Sequence, residues 1–191
     1  MNTNKALILV DFINDTVDSK GKVAGKGYAD FAERHLTLAN AQKLLTKARE
    51  NNWTVIHVRL SFSTSYHEHP SQSPLFGAAK KFGAFQAGQW GNEFHELLQP
   101  RENEIVLQKI RVSAFFDTPL DTILRNLGVN NLYVCGVATD LAVQSTAKDA
   151  HDRDYQVNVV SDCCAAANDE DHTQSLRMIS KIATIINLNE V

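Results

Sequence analysis

Two hydrophobic periods alternate along this chain, and that alternation limits its fold more than any other feature. Ala6-Leu7-Ile8-Leu9-Val10 is a short unbroken apolar run, the pattern of a strand buried on both faces. A helix is predicted over Tyr28 to Glu50, where Leu38, Ala41, Leu45 and Ala48 recur at three and four while Glu33, Arg34, Lys43 and Lys47 fall elsewhere. Further strands are predicted at Trp53 to Val58, Glu104 to Gln108, Leu132 to Cys135, Gln156 to Val160 and Thr184 to Asn187. Helices are predicted at Pro119 to Leu127, ended by Gly128, at Leu141 to Asp152 and at Glu170 to Lys181. Strands that alternate with helices require a parallel sheet covered on both faces and joined by right-handed crossovers. The predicted fold is therefore α/β, a six-stranded and mainly parallel sheet, and the 191 residues suit one domain over 1–191.

One stretch breaks the rhythm. Ser61 to Gly91 is rich in Ser, Gly, His and Pro and carries Phe62, Tyr66, Phe76, Phe82, Phe85 and Trp90. A long segment without periodicity inside a domain is a binding loop, a lid, or a surface excursion packed by its own aromatics. The net charge of −3 argues against nucleic acid or an anionic membrane as partner, because both favour a basic face. A local basic pocket for an anionic small molecule stays open. No apolar stretch approaches the ~20 residues of a membrane span. The start, Met1-Asn2-Thr3-Asn4-Lys5, lacks a signal-peptide core, and Cys135, Cys163 and Cys164 do not form a disulfide framework. A cytoplasmic protein with reduced thiols is expected.

In open parallel sheets ligands sit beyond the carboxyl ends of the strands, so chemistry is sought there. Asp11 follows the first strand; it is a general acid or base if buried, or otherwise a turn cap. Lys109 closes the third strand and is either a site residue or a solvated end charge. Gly136-Val137-Ala138-Thr139-Asp140 joins the fourth strand to a helix. The first turn of that helix can offer free N–H groups to an oxyanion or a carboxylate, or be a plain connection. His67-Glu68-His69 lacks a third ligand pattern for zinc, and Gly21, Gly25 and Gly27 have the wrong spacing for a dinucleotide fingerprint. No metal and no cofactor are expected.

Together these strand ends resemble the isochorismatase-like hydrolases, the superfamily that contains the cysteine hydrolases. The opening motif resembles Leu7-Ile8-Leu9-Val10-Asp11-Phe12-Ile13-Asn14-Asp15, the second Lys109-Ile110-Arg111-Val112-Ser113-Ala114-Phe115 with Thr118 and Leu120, and the third Gly136 through Val143 continuing to Ala150. The resemblance implies a six-stranded parallel sheet with helices on both sides. It places Asp11 and Lys109 at the catalytic Asp and Lys positions. The nucleophilic Cys position falls on Ala142, whose methyl group cannot attack a carbonyl. It also implies a cis peptide at Val137–Ala138 and an oxyanion hole from the N–H groups of Ala138 and Ala142. Val137, Ala138, Thr139, Phe12, Trp90 and Phe115 are the expected substrate-binding residues. The family's usual Gln and Phe are replaced by Ile13 and Thr16, and the metal cluster of the nicotinamidase branch is missing from His57-Val58-Arg59-Leu60-Ser61.

The resemblance leaves four functional readings. The first is a cysteine-independent hydrolase that cleaves a vinyl ether with protonated Asp11 as acid, as isochorismatases proper do. The second is a C–N hydrolase whose Asp-Lys-Cys triad has lost its Cys to an engineered Ala142. The third is a silent small-molecule-binding or interaction protein on the same fold, and the fourth shares the fold but not the chemistry. A homo-oligomer, dimer or tetramer, is expected.

Overall fold

The computed structural model describes residues 4–191, so the opening Met1-Asn2-Thr3 lies outside the described residues. Six strands form one parallel sheet in the order β3-β2-β1-β4-β5-β6. They are β1 Lys5–Val10, β2 Thr54–Leu60, β3 Ile105–Lys109, β4 Asn131–Val137, β5 Gln156–Ala165 and β6 Thr184–Ile186. Strand order reverses between β1 and β4, the two central strands. The crevice above that reversal is where such a sheet receives a ligand.

Burial follows position in the sheet. Ala6 through Val10 are fully enclosed, as an unbroken apolar run requires. At the edge, β3 exposes Val106 and Gln108 and buries Leu107 and Lys109. Helices cover both faces: α1 Asn14–Val17, α2 Tyr28–Arg34, α3 Thr37–Glu50, α4 Ala79–Phe82, α5 Leu120–Asn126, α6 Gln144–His151 and α7 Asp169–Ile179. The apolar stripe of α3 puts Ala41, Leu44, Leu45 and Ala48 into the main core.

Three predicted elements differ from what is observed. The single helix expected over Tyr28 to Glu50 is two helices, because Leu36 adopts a left-handed φ of 54°. Apolar spacing continues across such a break and cannot reveal it. The helix expected from Leu141 begins with a π-helical turn, Thr139–Val143. The fifth strand runs to Ala165 rather than Val160, with a register shift against β4 between Val134 and Gly136. Cys163 and Cys164 are therefore sheet residues, not residues beyond a strand end.

Ser61 to Gly91 is not structureless. Phe62, Tyr66, Phe76 and Phe85 pack with Ile13, Leu60 and Phe94 into a second apolar cluster, with Phe62 edge-on to both Phe76 and Phe85. His67-Glu68-His69 serves this loop. Glu68 accepts hydrogen bonds from the Ser63 backbone and hydroxyl, and the His69 ring meets the Phe76 carbonyl at 3.0 Å. Among the described residues no helix is long and apolar enough to cross a membrane.

Candidate active site

The site grows from the end of β1. The backbone turns at Asp11 into a left-handed φ of 57°, a conformation Asp tolerates better than most residues. The Asp11 N–H still bonds the Val58 carbonyl of β2. Its carboxylate reaches over the end of β2, where Oδ1 accepts from the Leu60 N–H at 2.6 Å. Oδ2 meets Lys109 Nζ at 2.6 Å. The strand register makes this possible, because Leu60 of β2 lies beside Lys109 of β3.

Both charges are buried, and Lys109 also donates to the Arg111 carbonyl at 3.1 Å. Burial pushes the Asp11 carboxyl above its ordinary range, and the facing ammonium and the hydrogen bonds only partly offset this. A carboxyl so placed holds a proton at a higher pH than a surface aspartate does, the property a catalytic acid needs.

The other side is built by the end of β4. Gly136 has a φ of 153°, and a Cβ there would lie 2.2 Å from the Val10 carbonyl oxygen. Only glycine lets β4 approach β1 this closely. The Val137–Ala138 peptide that follows is cis. The Ala138 carbonyl accepts from the N–H groups of Leu141 and Val143, and these bonds tighten the turn that carries Ala142.

Asp11, Lys109, Val137, Ala138 and Ala142 line one cavity of about 200 Å³. The Ser61 to Gly91 segment supplies its apolar wall through Leu75, Phe76, Ala78, Ala79, Phe82, Ala84 and Phe85. Thr16, Lys22, Val23, Lys26, Tyr28, Val112 and Leu141 complete it.

Four of the expected substrate-binding residues stand elsewhere. Phe12 is buried in the main core, on the far side of the turn made at Asp11. Thr139 is fully buried and bonds His172 Nδ1 at 2.9 Å. Phe115 packs against Tyr155 and under the Arg153 guanidinium. Trp90 is 46% exposed, in a turn whose carbonyl accepts from Asn14 Nδ2. Motif adjacency and aromatic character suggested these four; the direction of each side chain took them away. Sequence reasoning missed Lys22, Lys26 and Tyr28, which belong to the connection between β1 and α3. Only the lysines among its small residues, Lys20, Lys22 and Lys26, offered a signal.

Among the described residues that line the cavity, none carries a thiol. Cys135, Cys163 and Cys164 are buried and unpaired, and burial raises all three thiols, Cys164 to about 12. Such thiols are inert. Among the described residues no cluster of three His, Cys, Asp or Glu is arranged to hold a metal.

The family model described as the isochorismatase domain matches residues 5–190. The chain belongs to the isochorismatase family. Isochorismatase-family relatives include the ureidoacrylate amidohydrolase RutB of Acinetobacter baylyi, 30% identical over 174 residues, which are 85% of this chain and 71% of that protein. An isochorismatase family protein of Desulfovibrio vulgaris superposes with a TM-score of 0.88 at 29% identity, covering 98% of this chain and 96% of the other. The N-carbamoylsarcosine amidase of Thermoplasma acidophilum gives 0.76 at 27% identity, covering 100% and 99%. This isochorismatase-family chain is accordingly a hydrolase that acts on small molecules.

Proposed function

We propose that residues 1–191 form one hydrolase domain that cleaves its substrate without a covalent thioester, with Asp11 as general acid. The observation that carries the reading is a buried carboxyl of raised pKa in a cavity that Ala142 lines and to which, among the described residues, no thiol contributes. For a vinyl ether, protonated Asp11 gives its proton to the terminal enol carbon, and an oxocarbenium ion forms. Water adds to the cationic carbon and returns a proton to the Asp11 carboxylate. The hemiketal then collapses to a ketone and a free alcohol. Lys109 positions the carboxyl and stabilises it in the moment it is charged. Ala142 lines the cavity with a methyl group, and the N–H groups of Ala138 and Ala142 are the donors this reading assigns to the developing charge.

Amide hydrolysis is the second reading, because two of the relatives are an amidohydrolase and an amidase. It asks for a nucleophile that Ala142 lacks, unless Ala142 replaces a native Cys. The deciding experiment is a hydrolysis screen of isochorismate beside a panel of amides, run on this chain and on Ala142→Cys. Turnover of the vinyl ether by the parent supports the first reading. Amide turnover by the parent overturns it, and amide turnover by the cysteine variant alone favours the second.

A further inference from the structure

The cavity that holds Asp11 also carries a charge pattern. Among its described lining residues Asp11 is the one acid, and it is already paired with Lys109 at 2.6 Å. Lys22 and Lys26 remain, both exposed, and neither forms an ion pair among the described residues. In a chain of net charge −3 this is a local excess of two positive charges beside one cavity. Thr16 and Tyr28 add hydroxyls, and the rest of the lining is mainly apolar, with Leu75, Phe76, Phe82 and Phe85 on one wall and Val23 on another.

The lysines are held by the structure around them. The Lys22 ammonium donates to the Gly83 carbonyl at 2.5 Å, which ties it to the turn after α4. Its backbone N–H donates to Asp15 Oδ1 at 3.2 Å, while Asp15 Oδ2 accepts from the Phe85 N–H at 2.7 Å. One buried carboxylate thus clips the lysine-bearing connection to the aromatic wall. Lys26 ends a tight turn, Ala24–Lys26, and the following Gly27 has a φ of 101°. A Cβ on Gly27 would lie 2.2 Å from the Ala167 carbonyl oxygen, so this turn sits directly against the chain after β5.

Size narrows the class further. An apolar cavity of about 150 Å³ takes up benzene, and this one measures about 200 Å³. There is enclosed room for one ring and a short substituent.

We propose that the substrate is a monoanion with a ring-sized apolar body, its carboxylate held by Lys26 and Lys22 and its reacting end against Asp11. This deepens the hydrolase reading and rests on it for the place of the reacting bond. Lys109 is turned to Asp11 and the Arg111 carbonyl, which take two of its three N–H groups, so the carboxylate is assigned to Lys22 and Lys26. A neutral molecule of the same shape fills the apolar wall but gains nothing from the lysines. A cation is repelled.

Direct binding tests this without turnover, so a failure of acid catalysis by Asp11 shows in the rate screen and not here. Benzoate and 3-phenylpropanoate are titrated calorimetrically against benzamide and 3-phenylpropanamide, with the parent, Lys26→Gln and Lys22→Gln. At least one carboxylate is expected to bind one-to-one and more tightly than its amide. Lys26→Gln is expected to weaken that carboxylate about fivefold, the upper end of what an exposed ion pair gives, and to leave the amide unchanged. The carboxylate preference is also expected to shrink at high salt. Amides binding as tightly as carboxylates would overturn the proposal. So would a preference that survives both lysine replacements, or no binding by any of the four probes.

Discussion

Replacing Asp11 with Asn separates the shape of this site from its acid chemistry. Asn fills the same volume and still accepts from the Leu60 N–H, now 2.6 Å from Oδ1. It loses the charge that faces Lys109 Nζ at 2.6 Å. Removing one member of a buried pair costs roughly 3–5 kcal/mol when the other charge is left bare. Here an amide oxygen still faces Lys109, the Arg111 carbonyl stays bonded to Lys109, and the raised pKa of Asp11 means that the fold already disfavours its charge, so the stability loss is expected to stay below that range. The rate should fall further than stability accounts for, by about 10²–10⁴-fold, because the amide has no proton to deliver. The pH dependence carries the sharper test. The folded pKa of Asp11 lies above its ordinary 3.8 because burial penalises the carboxylate more than Lys109 compensates. Between those two values the folded chain binds more protons than the unfolded one. The contribution of Asp11 to stability is therefore full below about 3.8, and it declines as pH rises through the folded pKa. Turnover by the parent should fall across the same folded pKa. Lys109→Ala removes the two larger of the three effects that lower this pKa and leaves the Leu60 hydrogen bond, so the falling limb should move to higher pH. Urea unfolding at a series of pH values and pH–rate profiles of the three proteins measure these effects. Undiminished turnover by Asp11→Asn, or a falling limb unmoved in Lys109→Ala, would refute the reasoning.

Ala142→Cys should place a thiol in the cavity near the Lys109 ammonium; iodoacetamide should then label the native variant at position 142 alone, with Cys135, Cys163 and Cys164 modified only after unfolding, as peptide mass spectrometry would report. Gly136→Ala should cost more than about 3 kcal/mol, because its Cβ meets the Val10 carbonyl at 2.2 Å, and a Tm close to the parent's would contradict the close approach of β4 to β1. Burial pushes the Glu104 carboxyl up, but Arg49, the Arg101 N–H and His57 outweigh it and hold the carboxyl at about 2. That carboxylate stabilises the fold above about 4.5 and loses its contribution as pH falls toward 2, so Glu104→Gln should lower stability by about 2 kcal/mol at pH 7 and by little at pH 2 in denaturant titrations.

Much of the sheet was legible because strands buried on both faces must be continuous apolar runs, and Ala6 to Val10 can be little else. The residues at the strand ends were legible for a related reason. Asp11 and Lys109 are charges placed where an apolar run stops, and a parallel sheet brings all such ends to one edge. Local sequence does not encode where a side chain points once the backbone leaves regular geometry. Phe12 and Phe115 turned into the core, Thr139 toward His172, and Trp90 away from the cavity. The break at Leu36 and the Arg49–Glu104–His57 network were likewise invisible. One depends on a single dihedral, the other on contacts between α3, β2 and the residues before β3 that lie about fifty positions apart. The pairing of Lys22 and Lys26 with the aromatic wall was settled only in three dimensions. Asp15 joins segments seventy residues apart through one buried carboxylate, and hydrogen bonds of that range depend on how the chain packs, not on the order of its residues.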